Sequence, residues 1–346
     1  MPSWGRAVQI AFTYVGTIVG AGFATGQEIL QFFTKYGAAA TATIGIAGLL
    51  FIWLGTKMML LARSIRAVSY EDLNKHLFGT KVGEWFSLFT LFMLFGITTV
   101  MLAGGGSVFN EHFHLSYQAG LLLTLFLAYW IITKGLQAIV TVNSIVVPLM
   151  IVFCLLVVWS TADSPNAGNW LTLGSDRSAL QIWTAPLLYA SYNLATAQAV
   201  LVPLGASAPD RKSIVRGGII GGILITAMML AGHFALASQM PGIAQYEIPM
   251  GQLIARLGGA VQLLFAGVIF GEIFTTYIAN VYGLMLQIRE RTGWAAKPII
   301  AVILAGTYLI GQIGFSKLLS TLYPLFGLLS LIWFVRMIAG RHQSAR

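Results

Sequence analysis

Apolar residues along this chain fall into long runs that short polar connections separate. About 20 consecutive, mainly apolar residues form a helix that crosses a bilayer, and ten runs approach that scale. The ten predicted spans, numbered in chain order, are residues 5–34, 38–62, 84–108, 116–133, 135–160, 179–204, 212–238, 258–287, 297–313 and 316–338. The pattern therefore predicts an all-α membrane protein with ten transmembrane helices.

Composition and charge agree with this pattern. Charged residues make up 9% of the 346 residues and apolar residues 57%, whereas soluble domains contain roughly 25% charged residues. With the N-terminus inside, sixteen of the 20 Lys and Arg residues lie on the cytoplasmic side, and four (Lys35, Arg177, Arg256 and Lys317) lie outside. This asymmetry follows the positive-inside rule. It predicts that both termini are cytoplasmic.

Charge and motifs also exclude several classes of protein. The net charge is +9, but no basic stretch is interleaved with aromatic residues, so nucleic acid is not a predicted partner. The chain contains no GxxxxGK[ST], HExxH or GxSxG sequence, which argues against an ATP-driven pump and against an enzyme. The predicted partners are the lipid bilayer and a small solute, and no cofactor is predicted beyond a candidate sodium ion. The oligomeric state is left open.

Span 1 is rich in glycine. Its four central glycines are Gly16, Gly20, Gly22 and Gly26. Each weakens a helix by roughly 1 kcal/mol relative to alanine. We predict a helix to about Val19, an unwound segment over residues 20–22, and a second helix from about Ala24. Backbone groups freed in an apolar medium are tolerated only at a cavity or a ligand. The alternative is a straight helix that packs through two GxxxG pairs.

A short internal repeat links the two halves of the chain. Residues 23–27, FATGQ, are echoed by residues 194–198, LATAQ. Five spans separate the copies, so the second half must cross the membrane in the opposite direction, as in the inverted repeats of secondary transporters. The chain is therefore predicted to form one transmembrane domain, residues 1–346, with repeats at about 5–160 and 179–338.

Span 6 carries the polar residues that correspond to the break in span 1. We predict an irregular segment at residues 189–193, between Pro186 and Pro203. Tyrosine hydroxyls and an amide there would complete a solute pocket, although ordinary bonding between helices is an alternative. The predicted substrate-binding residues are Gly20, Ala21, Gly22, Phe23, Ala24, Thr25, Tyr189, Tyr192 and Asn193.

Span 8 contains polar side chains one helical turn apart, at Glu272, Thr275 and Thr276. Clustered oxygens suit a hard cation, but threonines in membrane helices also bond back to their own helix. Glu28 and Glu272 are the acidic residues within spans, where a carboxylate is costly and by default functional. We predict that they carry a proton, bind a cation or pair with a basic solute. The alternatives are exposure of Glu28 at the outer mouth and a structural hydrogen bond for Glu272.

Two motifs resemble known families. GTIVGAGFATGQEILQFF together with YASYNLATAQAVLVPL resembles the YkvI-type family of uncharacterised bacterial membrane proteins, over nearly the whole chain. More distantly, GTIVGAGF resembles the broken first helix of the amino acid, polyamine and organocation transporter superfamily. This resemblance implies the LeuT fold, with five plus five inverted helices of which helices 1 and 6 are broken. It also implies the bacterial inner membrane.

The superfamily resemblance implies roles for single residues. Amides around Ala21 and Gly22 would meet a substrate carboxylate. The implied sodium ligands are the carbonyls of Gly16, Val19 and Glu272 and the hydroxyls of Thr275 and Thr276. Phe23 and Gly26 depart from sodium-coupled neurotransmitter transporters, which carry an asparagine and an outer-gate arginine at these positions.

Together these features predict a secondary active transporter. It would be a symporter, coupled to sodium or protons, that moves a small amino-acid-like solute by alternating access. A membrane sensor that binds the solute on the same fold without net transport is the alternative. The sequence leaves open the identity of the solute, the choice between sodium and proton, and the direction of transport.

Overall fold

The structure, a computed structural model, describes residues 2–246, 249–254, 258–313, 326 and 330–339. Its regular structure is helical, and the described residues contain no β-strand. The helices are α1 Pro2–Ile18, α2 Ala21–Ala24, α3 Gln27–Phe32, α4 Ala39–Leu50, α5 Thr56–Ile65, α6 Tyr70–Phe78, α7 Thr80–His112, α8 Tyr117–Ile132, α9 Leu136–Ala162, α10 Asn169–Thr172, α11 Ala179–Ala206, α12 Arg211–Ala237, α13 Pro249–Ile254, α14 Gly259–Thr292, α15 Ala296–Gly311 and α16 Ser330–Ala339. The all-α fold class is confirmed.

The helices coincide with the first nine predicted spans, with α1 to α3 together forming span 1. Among the described residues, six helical segments are individually long and apolar enough to cross a membrane: the α4–α5 segment, α7, α9, α11, α12 and α14. Shorter apolar helices are α8, α15 and α16. Most of the tenth predicted span, residues 316–338, lies outside the described residues. The count of ten therefore stays a prediction.

Burial separates interior helices from those at the lipid. In α11, 83% of the most apolar 18-residue window is buried, against 33% in α9. α11 packs against α4, α5 and α14, while α1 packs against α9 and α12. In lipid, packing alone distinguishes an interior face from an exposed one, because both are apolar. The described core therefore surrounds α11, which carries the second copy of the repeated motif, and α1, which precedes the first copy.

The predicted irregularity in span 6 is wrong. α11 runs without interruption from Ala179 to Ala206 and contains both predicted flanking prolines. The segment has no glycine between residues 189 and 193, and the side chains of Ser191 and Asn193 bond within the helix. Asn193 Nδ2 donates to the Tyr189 carbonyl at 3.0 Å, and Ser191 Oγ donates to the Leu188 carbonyl at 3.0 Å. These polar residues consequently do not require an unwound backbone.

The first part of span 1 is held against span 2. A π-helical turn, Phe51–Gly55, joins α4 to α5. Such turns displace backbone groups from regular helical pairing, and here the Phe51 carbonyl accepts a 2.8 Å hydrogen bond from the Tyr14 hydroxyl. Tyr14 is fully buried. This contact positions α1 just before its end.

The connection after span 2 forms a short helix, α6. α6 begins after Ser69, whose hydroxyl accepts a hydrogen bond from the Glu71 amide at 3.1 Å. Glu71 pairs with Lys75 at 2.8 Å and with Arg291, at the end of α14, at 2.7 Å. Burial opposes its charged form, but the bonds from Lys75 and Arg291 outweigh burial and hold the pKa of the Glu71 carboxyl below its ordinary value. α6 is thereby tied to α14 on the predicted cytoplasmic side.

Candidate functional site

The regular backbone of span 1 stops within the membrane. α1 ends before Val19, and both Val19 and Gly20 lie outside helices. The predicted unwound segment over residues 20–22 is therefore wrong in its bounds, because Ala21 and Gly22 already belong to α2. The Val19 amide still donates to the Val15 carbonyl at 2.7 Å. Within the described part of the chain, no hydrogen bond reaches the carbonyl oxygen of Gly16 or of Val19. The interruption therefore releases two of the oxygens that the family resemblance implied as cation ligands.

A second interruption follows at the outer side of α2. Gly26 adopts a left-handed conformation with φ 86°, which favours glycine because other residues place Cβ too close to a carbonyl. The loop between α12 and α14 covers this turn. The Met250 amide donates to the Thr25 carbonyl at 3.0 Å, and Gln27 Nε2 donates to the Tyr246 carbonyl at 2.8 Å. The described residues of this loop thus contact span 1 on both sides of Gly26.

Glu28 lies inside the site rather than at an exposed mouth. Its side chain is 9% exposed and lies over Gly22. A Cβ added to Gly22 would be 2.7 Å from Glu28 Cγ and closer still to Oε1. The Tyr189 hydroxyl of α11 donates to Glu28 Oε2 at 3.2 Å. The structure therefore brings together two predicted substrate residues and the acid whose role the sequence left open.

Tyr189 is fixed by aromatic neighbours. Its ring centroid lies 5.1 Å from that of Phe33, 5.3 Å from Phe32 and 6.0 Å from Phe51. Tilted and edge-on ring pairs of this kind are favourable. Tyr192 is also buried. Because the rings fix the orientation of Tyr189, its hydroxyl is held toward Glu28.

Two further predicted substrate residues border a small cavity. Phe23 and Ala24 border an apolar cavity of about 10 Å³ that Phe153 and Cys154 of α9 also line. Such a volume holds about one water molecule. A larger cavity of about 600 Å³ lies toward the ends of α9 and α12, and its lining includes Asp163. Phe23 and Ala24 are thus closely packed against α9.

The polar residues of span 8 behave differently from one another. Thr275 Oγ1 donates to the Glu272 carbonyl at 3.0 Å, which is the back-bonding alternative. Thr276 Oγ1 has no partner among the described residues, and a Cβ added to Gly20 would lie 3.2 Å from it. Glu272 is fully buried, and neither carboxylate oxygen has a partner within the described ranges. The Thr276 hydroxyl therefore lies at the interruption of span 1, whereas the Glu272 carboxylate is buried without a hydrogen-bond partner among the described residues.

Sequence reasoning missed Asn143 on α9. Its side chain is fully buried against Gly16. The available signal was its position inside an apolar run, since polar residues in membrane spans generally face the protein interior. The interruption is thus bordered by oxygen atoms from α9, α14 and its own backbone, a set that suits a hard cation.

The fold and the interrupted first helix define a membrane protein of the LeuT fold. Over 96% of its length the chain is similar to the substrate-bound, outward-open structure of a Na⁺-coupled sialic acid symporter (TM-score 0.74, 14% identity, 78% of that chain). Over the same share it is similar to MhsT in complex with L-phenylalanine (TM-score 0.68, 15% identity, 91% of that chain). At these identities the similarity establishes the fold.

The chain belongs to the YkvI family of membrane proteins. It is 40% identical over 354 residues to the uncharacterised membrane protein YkvI of Bacillus subtilis (strain 168), and the match covers 99% of each chain. No family model matches the chain. The family resemblance drawn from the two motifs is thereby confirmed.

Proposed function

We propose that this chain is a secondary active transporter of the bacterial cytoplasmic membrane. It is a symporter that couples sodium or proton flow to the movement of a small amino-acid-like solute by alternating access. The cation and the solute favour the same conformations, and each shifts the equilibrium only by its difference in affinity for the two states. Neither then crosses efficiently alone.

The observation that carries this proposal is the interruption of span 1. It releases the carbonyls of Gly16 and Val19 beside the unpartnered hydroxyl of Thr276 on α14. Irregular backbone within a membrane requires a ligand or a cavity. The similar structures support the same conclusion, since one is of a Na⁺-coupled symporter. We assign a sodium site to these oxygens.

The solute side of the proposal rests on Glu28. Tyr189 bonds one carboxylate oxygen, and the other lies against Gly22. A buried carboxylate forms strong hydrogen bonds with an ammonium group, as an amino-acid-like solute would supply. The amides around Ala21 and Gly22 are the proposed donors to the solute's own carboxylate. Because Glu28 covers Gly22, a bound solute must pair with this carboxylate or displace it.

Glu272 supports the alternative coupling ion. A carboxylate in a membrane interior is costly unless it binds a proton or another cation, and both of its oxygens lack partners among the described residues. If protons drive transport, Glu272 is their proposed carrier. Glu272→Gln should then flatten the pH profile of uptake, while a sodium-driven transporter would keep its profile in this variant.

The test begins with a thermal-shift screen of the purified protein against amino acids and amines, with and without NaCl. Stabilising solutes are then offered, radiolabelled, to liposomes under an imposed sodium gradient, a pH gradient or no gradient. We expect accumulation only under the coupling gradient. If sodium is the coupling ion, Thr276→Val should raise the sodium concentration that gives half-maximal uptake.

Two results would contradict this function. A solute that stabilises the protein but never accumulates under any gradient would favour a sensor on the same fold. If the solute only reaches equal concentrations inside and outside the liposomes, whichever gradient is imposed, the protein is a facilitator without coupling.

A further inference from the structure

Asn143 has a buried oxygen that the proposed site does not yet use. Its side chain is fully buried, and its Nδ2 donates to the Ile139 carbonyl at 3.0 Å. This bond fixes which end of the amide carries the oxygen. Oδ1 has no partner among the described residues. A buried polar atom without a partner calls for an explanation, such as an ion.

The oxygen lies against the end of α1. A Cβ added to Gly16 would be 2.9 Å from Asn143 Cγ and closer still to Oδ1, so only glycine leaves room for this amide. Four residues further, at the interruption, Gly20 faces the unpartnered Thr276 hydroxyl, which would lie 3.2 Å from an added Cβ. Two buried, unpartnered oxygens therefore reach the end of α1 and the interruption that follows it, where carbonyls of span 1 are released.

We propose that Asn143 Oδ1 is a further ligand of the sodium site. This inference rests on the proposed function, because it extends the site formed by Gly16, Val19 and Thr276. The site then draws oxygens from α1, α9 and α14. The amide, hydroxyl and carbonyl oxygens in this set are neutral, which suits a hard monovalent cation. The described residues contain no group of three or more His, Cys, Asp or Glu side chains that would hold a transition metal instead.

This role also explains the glycine spacing of span 1. Gly16 and Gly20 form a GxxxG pair, which ordinarily brings two helices together. Here the space above each glycine is entered by an oxygen, from Asn143 at Gly16 and from Thr276 at Gly20. The pair therefore admits one oxygen beside the last turn of α1 and one beside the interruption that follows it.

The test measures sodium binding without transport. Full-length protein in detergent is titrated with ²²NaCl in a scintillation proximity assay and, in parallel, with NaCl in a thermal-shift assay at constant ionic strength maintained with choline chloride. Asn143→Leu removes the amide oxygen but keeps a side chain of similar volume. The sodium concentration that gives half of the maximal binding or stabilisation should rise by at least about tenfold, as expected for loss of a group that supports a metal site. Asn143→Asp keeps the oxygen and adds charge, so it should bind sodium at least as tightly as the wild type.

A matched control lies next to Asn143 on the same helix. Ser144 Oγ bonds back to the Val140 carbonyl at 2.8 Å, so Ser144→Ala should bind sodium like the wild type. If Asn143→Leu also matches the wild type while Thr276→Val is weakened, the sodium site stands and Asn143 is not a ligand. If the wild type shows no sodium response, the sodium site and the role of Asn143 both fail. Should Asn143→Leu not fold, weakened sodium binding by Asn143→Asp would overturn the inference.

Discussion

Span 1 and span 6 carry the two copies of one motif, yet only span 1 is interrupted. The segment after residue 18 leaves the helix at residues 19–20 and again at 25–26, whereas α11 continues through the matching positions. At an offset of 171 residues, Gly22 corresponds to Asn193 and Gly26 to Ala197. The glycines of span 1 are replaced by residues that bear a Cβ, and these residues remain helical.

This difference in backbone continuity shows what span 1 and α11 each contribute to the site. Span 1 contributes backbone groups, because its glycines let the chain unwind and let the Glu28 and Thr276 side chains approach. α11 contributes a side chain, the Tyr189 hydroxyl. Polar residues in a membrane helix do not by themselves indicate a break, since Asn193 bonds to its own helix.

The largest expected effect comes from filling the space above Gly22. Leucine there must displace the Glu28 carboxylate, because even a Cβ would overlap it. We expect uptake of the solute identified by the thermal-shift screen to fall by about 100-fold, as displacements of about 1 Å can cause, with normal membrane insertion. In the control Gly45→Leu, a Cβ would meet no described atom within 4 Å, and uptake should persist. Normal uptake by Gly22→Leu would show that span 1 does not need this space.

A second pair of variants separates the contributions of the two helices. Glu28→Gln retains volume and removes charge, so the apparent affinity for an amine-bearing solute should fall about 10- to 100-fold, since hydrogen bonds to charged groups contribute about 1.5–3 kcal/mol. Tyr189→Phe removes one hydroxyl. It should lower the apparent affinity for the solute by up to about tenfold, which corresponds to about 0.5–1.5 kcal/mol. The measurement is solute titration by thermal shift. Equal losses in both variants would contradict a main role for the charge.

Exchanging the residues at the motif's glycine position is expected to change the stability of the protein and to have the smallest effect on solute binding. Gly26→Ala should destabilise the protein by about 1–2 kcal/mol, because φ at this residue is 86° and that region penalises a Cβ. Ala197→Gly in α11 should lower the free energy of unfolding by about 1 kcal/mol, which is the difference in helix propensity between alanine and glycine. Thermal unfolding in the same detergent provides the comparison. A neutral Gly26→Ala would mean that this turn relaxes into a helix.

Much of the fold follows from the sequence, and so does part of the site. The apolar runs predict helices for spans 1 to 9, and the glycines of span 1 predict its interruption. The prediction for span 6 failed because tyrosine, serine and asparagine were interpreted as signs of irregular structure, although each is compatible with a helix. Asn143 was missed because a single polar residue in an apolar run does not identify its neighbours.

The sequence by itself determined the helices of the first nine spans, apart from their exact bounds, and the fact that span 1 departs from one. Apolar length and glycine content act through local backbone energetics, which require no knowledge of distant residues. Only the tertiary structure decided that Glu28 meets Tyr189, 161 residues away, and that Asn143 and Thr276 reach Gly16 and Gly20. Such contacts depend on which helix faces pack together, and in lipid that choice is made by shape complementarity between whole helices.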